Sequence, residues 1–166
     1  AGGDTLRAGK GEGVVFGDSA RITYDAGVIR SAISAGIAQG GNDIIELGAV
    51  GSIDGFQIVV GGFGADSISL QSNAGDGISA MERAVAGDNA SINFDTSGRL
   101  SAFATSDSDA STGGADILTV IMAGTAPANT PLTDLNIVAG GMGGDTLNIF
   151  GVTRSIDVVG GDNLDY

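Results

Sequence analysis

The sequence predicts an all-β protein that folds as a parallel β-solenoid, a β-helix or β-roll with coils of roughly 20–27 residues. Three observations favour this fold. The chain has 30 glycines, 2 prolines and 42% hydrophobic residues, which is typical of short strands joined by tight turns rather than of a disordered linker. A nine-residue motif occurs twice, at 61–69 and 140–148, and longer segments recur after roughly 70–80 residues.

The nine-residue motif has the pattern G-G-x-G-x-D-x-U-x, where U is a large apolar residue. Glycine allows positive φ angles and can direct backbone carbonyls inward. An aspartate among those carbonyls completes the all-oxygen environment that Ca²⁺ prefers. The motif therefore predicts calcium ligation by Asp66 and Asp145. Its glycines are predicted to contribute carbonyl ligands: Gly61, Gly62, Gly64, Gly140, Gly141 and Gly143.

A longer repeat unit surrounds these motifs. The G-G-x-D segment at 40–43 returns at 113–116, and the V-x-G-D segment at 15–18 returns at 85–88. We interpret the chain as a single domain of one partial, one full and one further partial repeat, at 1–39, 40–112 and 113–166. Both ends fall inside the repeat without a polar cap. This predicts head-to-tail stacking, between subunits or with neighbouring repeats of a longer chain.

Stacked repeats would bring further aspartates into one column, where like charges repel unless cations offset them. These additional metal-ligand candidates are Asp43, Asp116, Asp88, Asp18, Asp162 and Asp4. The alternative for each is an Asx-turn, in which the carboxylate binds nearby backbone.

Alternating or β-branched segments predict the individual strands. The segment 96–98 after Phe94-Asp95 predicts a hairpin or corner turn, and residues 25–27 form its shorter counterpart. The predicted strands are 13–16, 21–24, 44–47, 56–60, 67–70, 91–94, 100–104, 117–122, 135–138, 146–150 and 156–159.

Composition excludes several function classes. The formal net charge is −13, from 20 acidic and 7 basic residues, which disfavours nucleic-acid binding. The absence of Cys and His removes disulfides, thiol catalysis, Ser-His triads and the usual zinc ligands. No apolar run approaches the roughly 20 residues of a membrane span. No catalytic residue is predicted.

The two nine-residue motifs resemble the repeats-in-toxin family of secreted calcium-binding proteins. The V-x-G-D-N-x-x-I-x-F-D-x-x-G-x-L segment at 85–100 is similar to repeats of very large bacterial surface proteins and adhesins. The resemblance implies a right-handed parallel β-roll or β-helix, secretion, and calcium-dependent folding through Asp66 and Asp145. In that family the motifs occur in tandem, whereas here they occur singly. Sites are therefore expected between neighbouring coils, with one aspartate from each.

Together these features predict a non-catalytic, calcium-binding structural repeat protein. It would belong to an extracellular bacterial adhesin, biofilm matrix or surface filament. The alternative is a secreted polysaccharide-modifying β-helix enzyme or its calcium-binding accessory module, which would need convergent carboxylates in a groove. A third alternative, an ice-binding module, would require a flat threonine face.

Overall fold

The computed structural model describes residues 2–9, 13–48, 55–72, 81–107, 109, 111–122, 136–150 and 157–160. Within these ranges the protein is all-β and contains no helix. The strands are β1 (Thr5–Ala8), β2 (Gly13–Phe16), β3 (Ala20–Asp25), β4 (Val28–Ser34), β5 (Ile44–Gly48), β6 (Gly55–Val60), β7 (Ser67–Ser72), β8 (Met81–Ala86), β9 (Ala90–Phe94), β10 (Leu100–Thr105), β11 (Ile117–Met122), β12 (Asn136–Ala139), β13 (Thr146–Phe150) and β14 (Asp157–Val159).

The strands form three sheets. Sheet A has the order β1-β5-β7-β11-β13 and sheet B has the order β14-β12-β8-β6-β2, and every pairing in both is parallel. Sheet C has the order β10-β9-β4-β3 and is antiparallel. Apart from the excursions into sheet C, successive strands alternate between sheets A and B.

Sheet B is the middle layer and is covered on both faces. Alternate side chains of its strands enter two separate hydrophobic clusters: Val59 and Val85 pack towards sheet A, whereas Ile58 and Ala84 pack towards sheet C. The Phe56 and Phe94 rings, with centroids 5.0 Å apart, join sheets B and C. Burial on both faces explains why segments such as Ile58–Val60 are continuously apolar, because buried parallel strands lack polar alternation.

Two kinds of connection lead from sheet B to sheet A. The short kind is the six-residue G-G-x-G-x-D part of the repeated motif, which joins β6 to β7 and β12 to β13. The long kind begins with Gly-Asp after β2 or β8, adds an antiparallel hairpin to sheet C, and returns through G-G-x-D. One repeat unit therefore contains one connection of each kind.

Local turn chemistry produces the two hairpins. Strands β3 and β4 are joined by Ala26 and Gly27, whose φ angles of 50° and 81° are those of a type I′ turn. Between β9 and β10, Asp95 Oδ1 accepts hydrogen bonds from the Ser97 and Arg99 backbone N–H groups at 2.8 and 2.9 Å. The Ser97 hydroxyl also donates to Asp95 Oδ1, at 2.7 Å. This side-chain bond, followed by the backbone bonds, lowers the pKa of Asp95, and together they fix the turn. Both turns reverse the chain, as expected for the hairpin interpretation of these segments.

The predicted parallel β-solenoid of 20–27-residue coils is wrong, although the all-β class is correct. The strands form three layered sheets, and sheet C is antiparallel throughout. A predicted coil of this length does not occur between Gly17 and Asp43 or between Gly87 and Asp116, because each of these stretches contains an antiparallel hairpin that reverses the chain. A sequence period does not reveal the direction in which the strands of a repeat run.

The described residues include no helix of the length and apolar character that crossing a membrane would require.

Candidate metal centre

Five aspartates form a column at the end of sheet A where its strands begin. Each is the residue immediately before a sheet A strand, and the parallel register pairs Thr5 with Ile44, Ile44 with Ser67, and Ser67 with Ile117. Parallel strands paired in register begin at the same end of the sheet. The residues that precede them therefore lie one above another, across the strands. This aspartate column consists of Asp4, Asp43, Asp66, Asp116 and Asp145.

Hydrogen bonds connect each member of the column to the next. The Asp4 backbone N–H donates to Asp43 Oδ1 at 2.6 Å, and the Asp43 N–H donates to Asp66 Oδ1 at 2.7 Å. The Asp66 N–H donates to Asp116 Oδ1 at 2.7 Å, and the Asp116 N–H donates to Asp145 Oδ1 at 3.0 Å. Oδ1 of these carboxylates therefore continues the backbone ladder of sheet A beyond the strand ends.

The other carboxylate oxygen has a different environment. Oδ2 of Asp43, Asp66 and Asp116 is buried and receives no hydrogen bond from the described residues, and these aspartates are only 1%, 2% and 1% exposed. A buried polar atom without a partner is costly, because it has lost its hydration without compensation. These oxygens are the strongest sign that the column has a function beyond turn formation.

The unpartnered oxygens face glycines at the ends of sheet B strands. A Cβ added to Gly17, Gly61 or Gly87 would lie less than 3.0 Å from an Oδ2 atom of the column. The same Cβ would also lie less than 3.0 Å from the carbonyl oxygen of a neighbouring glycine in sheet B. Carboxylate and carbonyl oxygens thus converge beside each glycine. The cradle between them exists only because glycine has no side chain.

Two further aspartates, Asp18 and Asp88, follow the sheet B strands β2 and β8 and are bound by the repeated motif. Asp18 Oδ2 accepts a hydrogen bond from the Phe63 N–H at 2.8 Å. Asp88 Oδ2 accepts one from the Met142 N–H, and its Oδ1 accepts one from the Gly114 N–H at 3.3 Å. The motif therefore donates N–H groups to these carboxylates. The predicted role of its glycine carbonyls as metal ligands remains a prediction.

The glycines of the motif allow this close approach. Gly62 and Gly141 have φ angles of 113° and 105°, and a Cβ on either would collide with the carboxylate of Asp18 or Asp88. The last glycines of the pattern, Gly64 and Gly143, also have positive φ angles. They pack against the backbone of Gly41 and Gly114 in the neighbouring connections.

Burial and mutual repulsion raise the pKa values of these carboxylates. Loss of hydration is the largest cause for Asp66 and Asp88, and it raises the pKa of each to about 8. Burial likewise raises the pKa of Asp116 to about 7. The charges that act on Asp66 are those of Asp116, Asp43 and Asp18, all of which oppose its ionisation. Burial also raises the pKa values of Asp43 and Asp18.

These oxygens are of the types that calcium takes as ligands. Calcium takes hard oxygen ligands from carboxylates and backbone carbonyls, and both types converge in the glycine cradles. In the part of the chain that the structure describes, no three acidic side chains gather around one point. A cation would therefore be held by Oδ2 of single column aspartates together with carbonyls such as those of Gly61, Gly87 and Gly140.

Similarity to other proteins does not supply a function. No protein-family model, curated protein or solved structure matches this chain.

The structure divides the predicted ligand residues into two groups. Asp66 and Asp145 lie in the aspartate column with Asp43, Asp116 and Asp4, whereas Asp18 and Asp88 lie in a separate row on sheet B. Asp162 lies outside the described residues. The metal-ligand role of all these residues remains a prediction.

Sequence reasoning missed two polar features near the column and in sheet B. Asp107 accepts hydrogen bonds from the backbone and side chain of Asn89 at 3.0 and 3.1 Å, which fastens sheet C to the end of β8. Three other polar residues, Gln57, Arg83 and Asn136, lie side by side on sheet B and are almost fully buried. The sequence could show that these residues are adjacent only if β8 were predicted as a strand, because Arg83 of β8 pairs with both Gln57 and Asn136.

Proposed function

We propose that this protein is a non-catalytic structural protein whose aspartate column binds calcium. The main support for this proposal is that the buried Oδ2 atoms of Asp43, Asp66 and Asp116 have no described hydrogen-bond donor and face backbone carbonyls. Charges in such a column must be neutralised by protons or by cations, and the chain has an excess of acidic groups. Calcium would supply positive charge where the column accumulates negative charge.

The residues that would hold calcium are Asp43, Asp66 and Asp116, through Oδ2, with the glycine carbonyls opposite them. When bound, calcium would offset the repulsion between neighbouring carboxylates and join sheet A to the ends of sheet B. Because an unfolded chain has no such cradle, the binding free energy would add to the free energy of unfolding. The Oδ1 hydrogen bonds would keep each carboxylate correctly oriented.

We further propose that the protein works outside the cell, as a segment of a bacterial surface, adhesin, biofilm-matrix or filament protein. Two features support this proposal: the resemblance of the motifs to secreted calcium-binding repeats, and the accumulation of buried carboxylates, which at neutral pH would be stabilised by the calcium available outside cells. The described aspartates of the column are spaced one strand apart, and no three described acidic side chains converge on one point. This arrangement favours a structural role over the polysaccharide-modifying alternative.

The test is a calcium titration of chelator-treated protein at neutral pH, followed by circular dichroism and thermal unfolding. Calcium at 100 times its dissociation constant is expected to stabilise the wild type by about 2.7 kcal/mol per site. The double variant Asp66→Asn/Asp116→Asn is expected to lose most of this gain. Without calcium it should be at least as stable as the wild type, because Asn keeps the Oδ1 acceptor and removes a buried acid.

The matched control is Asp25→Asn, which removes one exposed carboxylate outside the column. It should retain the full response to calcium. Equal stabilisation of the wild type and the double variant would show that calcium acts elsewhere, and no stabilisation of the wild type would disprove the proposed function.

A further inference from the structure

Strand β3 is an unprotected edge of sheet C. All of its residues are exposed, and it has a described partner on one side only. Its apolar residues Ile22 and Tyr24 are 36% and 64% exposed. At the equivalent positions of β9, which lies between β4 and β10, Ile92 and Phe94 are 0% and 6% exposed. An exposed edge strand of this kind is a template on which another strand can pair.

The free backbone groups of β3 belong to alternate residues. The Ala35 N–H donates to the Ser19 carbonyl oxygen at 2.8 Å, so the backbone groups of Ser19 and of every second residue after it face β4. The N–H and C=O groups of Ala20, Ile22 and Tyr24 therefore point away from β4, towards the free edge.

The apolar side chains of β3 project beyond the edge of sheet B. Ile22 and Tyr24 pair with Ala32 and Ile29 of β4, which belong to the hydrophobic cluster between sheets B and C. Side chains of directly paired residues lie on the same face, so Ile22 and Tyr24 also point to the side of sheet B. Strand β2, the edge of sheet B on this side, packs against the cluster, whereas no residue of β3 belongs to it. Sheet C therefore extends past sheet B at β3.

We propose that β3 pairs antiparallel with β3 of a second copy of this chain, across a two-fold axis at Thr23, so that two copies form a dimer. In this register Ile22 lies opposite Tyr24 of the second copy, and Arg21 lies opposite its Asp25. Ile22 and Tyr24 carry the backbone groups at the free edge, so each of these two pairs would exchange two N–H···O=C hydrogen bonds. Sheet C would become one continuous antiparallel sheet with four strands from each copy.

Charge selects this register among the alternatives. Arg21, Thr23 and Asp25 alternate with the apolar residues and so share the outer face of β3. With the axis at Thr23, each Arg21 meets an Asp25, and opposite charges paired across strands are stabilising. An axis at Ile22 or Tyr24 would place Thr23 opposite one charged residue and leave the other without an opposite charge.

Both charged side chains are available for this contact. Arg21 forms no ion pair with a described residue. Asp25 Oδ2 lies 3.3 Å from Arg30 Nη2, which leaves its other carboxylate oxygen for Arg21 of the second copy.

The offset between sheets C and B leaves room for the dimer. In each copy β3 extends past β2, so the paired β3 strands hold the two sheets B apart. Ile22 and Tyr24 of both copies would occupy the space between the sheet edges and cover one another. Neither β10 nor any strand of sheets A and B takes part in the pairing. Because both copies use the same surface, the contact closes at two copies.

The first test is a disulfide at the two-fold axis, because the chain contains no cysteine. Thr23 lies opposite Thr23 of the second copy in a non-hydrogen-bonded pair, whose Cα atoms are about 4.5 Å apart. A disulfide can span this distance. Under mild oxidation, most of the Thr23→Cys protein should become a covalent dimer on a reducing-agent-free gel.

The register control is Ala20→Cys, which changes an exposed residue of the same edge strand. In the proposed register the two Ala20 residues are about six positions apart along the strands, roughly 20 Å. Ala20→Cys should therefore cross-link at least ten-fold less than Thr23→Cys. Equal cross-linking of the two variants, or none in Thr23→Cys, would overturn the interface.

The second test exchanges the charges and needs no cross-link. Wild-type protein is expected to sediment at twice its 16.2 kDa monomer mass. Arg21→Glu would place two carboxylates opposite each other, and Asp25→Lys would place two cations opposite each other. Each variant alone should therefore dimerise at least ten-fold more weakly than the wild type.

An equimolar mixture of Arg21→Glu and Asp25→Lys should dimerise again. In the mixed dimer the introduced Glu meets the introduced Lys, and the native Arg21 of one copy meets the native Asp25 of the other. Circular dichroism of each variant checks that it is folded, which is expected because both side chains are exposed.

Three results would refute the two-fold interface. They are a wild type that stays at 16.2 kDa at high concentration, a mixture of folded variants that stays monomeric, and a wild-type mass that grows beyond two copies. The last result would favour head-to-tail stacking instead.

The interface does not depend on calcium ligation, because none of its residues belongs to the aspartate column. If calcium leaves stability unchanged but Thr23→Cys still cross-links, the metal proposal fails and the interface stands. If calcium stabilises the fold but the protein stays monomeric and does not cross-link, the interface fails and the metal proposal stands.

Discussion

Replacing Gly61 with alanine is expected to destabilise the protein by about 3 kcal/mol or more. The added methyl group would lie less than 3.0 Å from both Asp66 Oδ2 and the Gly87 carbonyl oxygen. Neither oxygen can move aside freely, because Asp66 Oδ1 is held by the Asp43 N–H and the Gly87 carbonyl accepts a hydrogen bond from the Gly62 N–H at 3.0 Å. Urea denaturation monitored by circular dichroism would measure the change.

The matched control for this substitution is Gly144→Ala. Gly144 belongs to the same repeated motif, but a Cβ on it would meet no atom within 4 Å. The equivalent position of the first motif copy already carries an alanine, Ala65. Gly144→Ala should therefore be neutral or stabilise by about 0.4–1 kcal/mol, because alanine restricts the unfolded chain. Similar losses in both variants would show that the motif glycines serve only backbone flexibility.

The calcium-free protein is expected to lose stability as the pH rises from about 4 to about 8. Folding raises the pKa of Asp66 and Asp88 to about 8 and that of Asp116 to about 7. The folded state therefore retains protons that the unfolded state releases across this range. Since the unfolded state binds fewer protons, the free energy of unfolding falls with rising pH. These groups give their full contribution below about pH 4, and it is lost as pH passes their folded pKa values.

The size of this effect should be large. A pKa shift of one unit corresponds to about 1.4 kcal/mol. Ionising Asp66, Asp88 or Asp116 in the folded state therefore costs several kcal/mol more than ionising it in the unfolded chain. For a chain of this length, we expect the unfolding temperature in chelator to fall by more than about 10 °C between pH 5 and pH 8.5. Differential scanning calorimetry across this pH range would measure it.

Two comparisons make the pH experiment specific. The variant Asp66→Asn/Asp116→Asn should flatten the profile, because it removes two of the three aspartates whose pKa values are raised to about 7 or 8. Calcium should restore stability most strongly at the alkaline end, where the carboxylates are ionised and available as ligands. An unfolding temperature that stays constant from pH 5 to pH 8.5 would contradict the raised pKa values of Asp66, Asp88 and Asp116 in the folded protein.

The sequence predicts individual strands more accurately than their arrangement. The predicted strands 13–16, 117–122 and 146–150 coincide with β2, β11 and β13, because their alternation or β-branched content is strong. Strands β1, β4 and β8 were missed. Strand β8 contains Glu82 and Arg83. These charged residues break the apolar pattern that would predict a strand, since the strand is stabilised by its neighbours in the sheet rather than by its own sequence.

The antiparallel sheet could not be predicted from the repeat. Its direction is set at Ala26, a non-glycine residue with a φ of 50°, and by the pairing of β4 with β9 far along the chain. A repeat period measures how often a feature returns, and it is the same for parallel and antiparallel strands. The turn was recognisable from the sequence, but its consequence for the topology depended on long-range contacts.

The aspartate column shows a similar limit. The recurring Gly-Asp pattern indicated that Asp43, Asp66 and Asp116 belong together, and the structure places them in one column. The sequence did not show that the Oδ1 atoms accept backbone hydrogen bonds, nor that Asp18 and Asp88 form a separate row. Those details depend on the spacing between sheets, which local sequence patterns do not specify.

The division into antiparallel hairpins and parallel sheets has a consequence for how the chain folds. In β3–β4 the partners Asp25 and Val28 are neighbours in sequence, whereas sheet A joins Ser67 to Ile117. Isolated hairpins form in about 1–10 µs, whereas distant parallel pairs must first close long loops. The hairpins are therefore expected to protect their amide protons first in a pulse-labelled refolding experiment. Sheet C would then be the early layer onto which the slower parallel sheets condense.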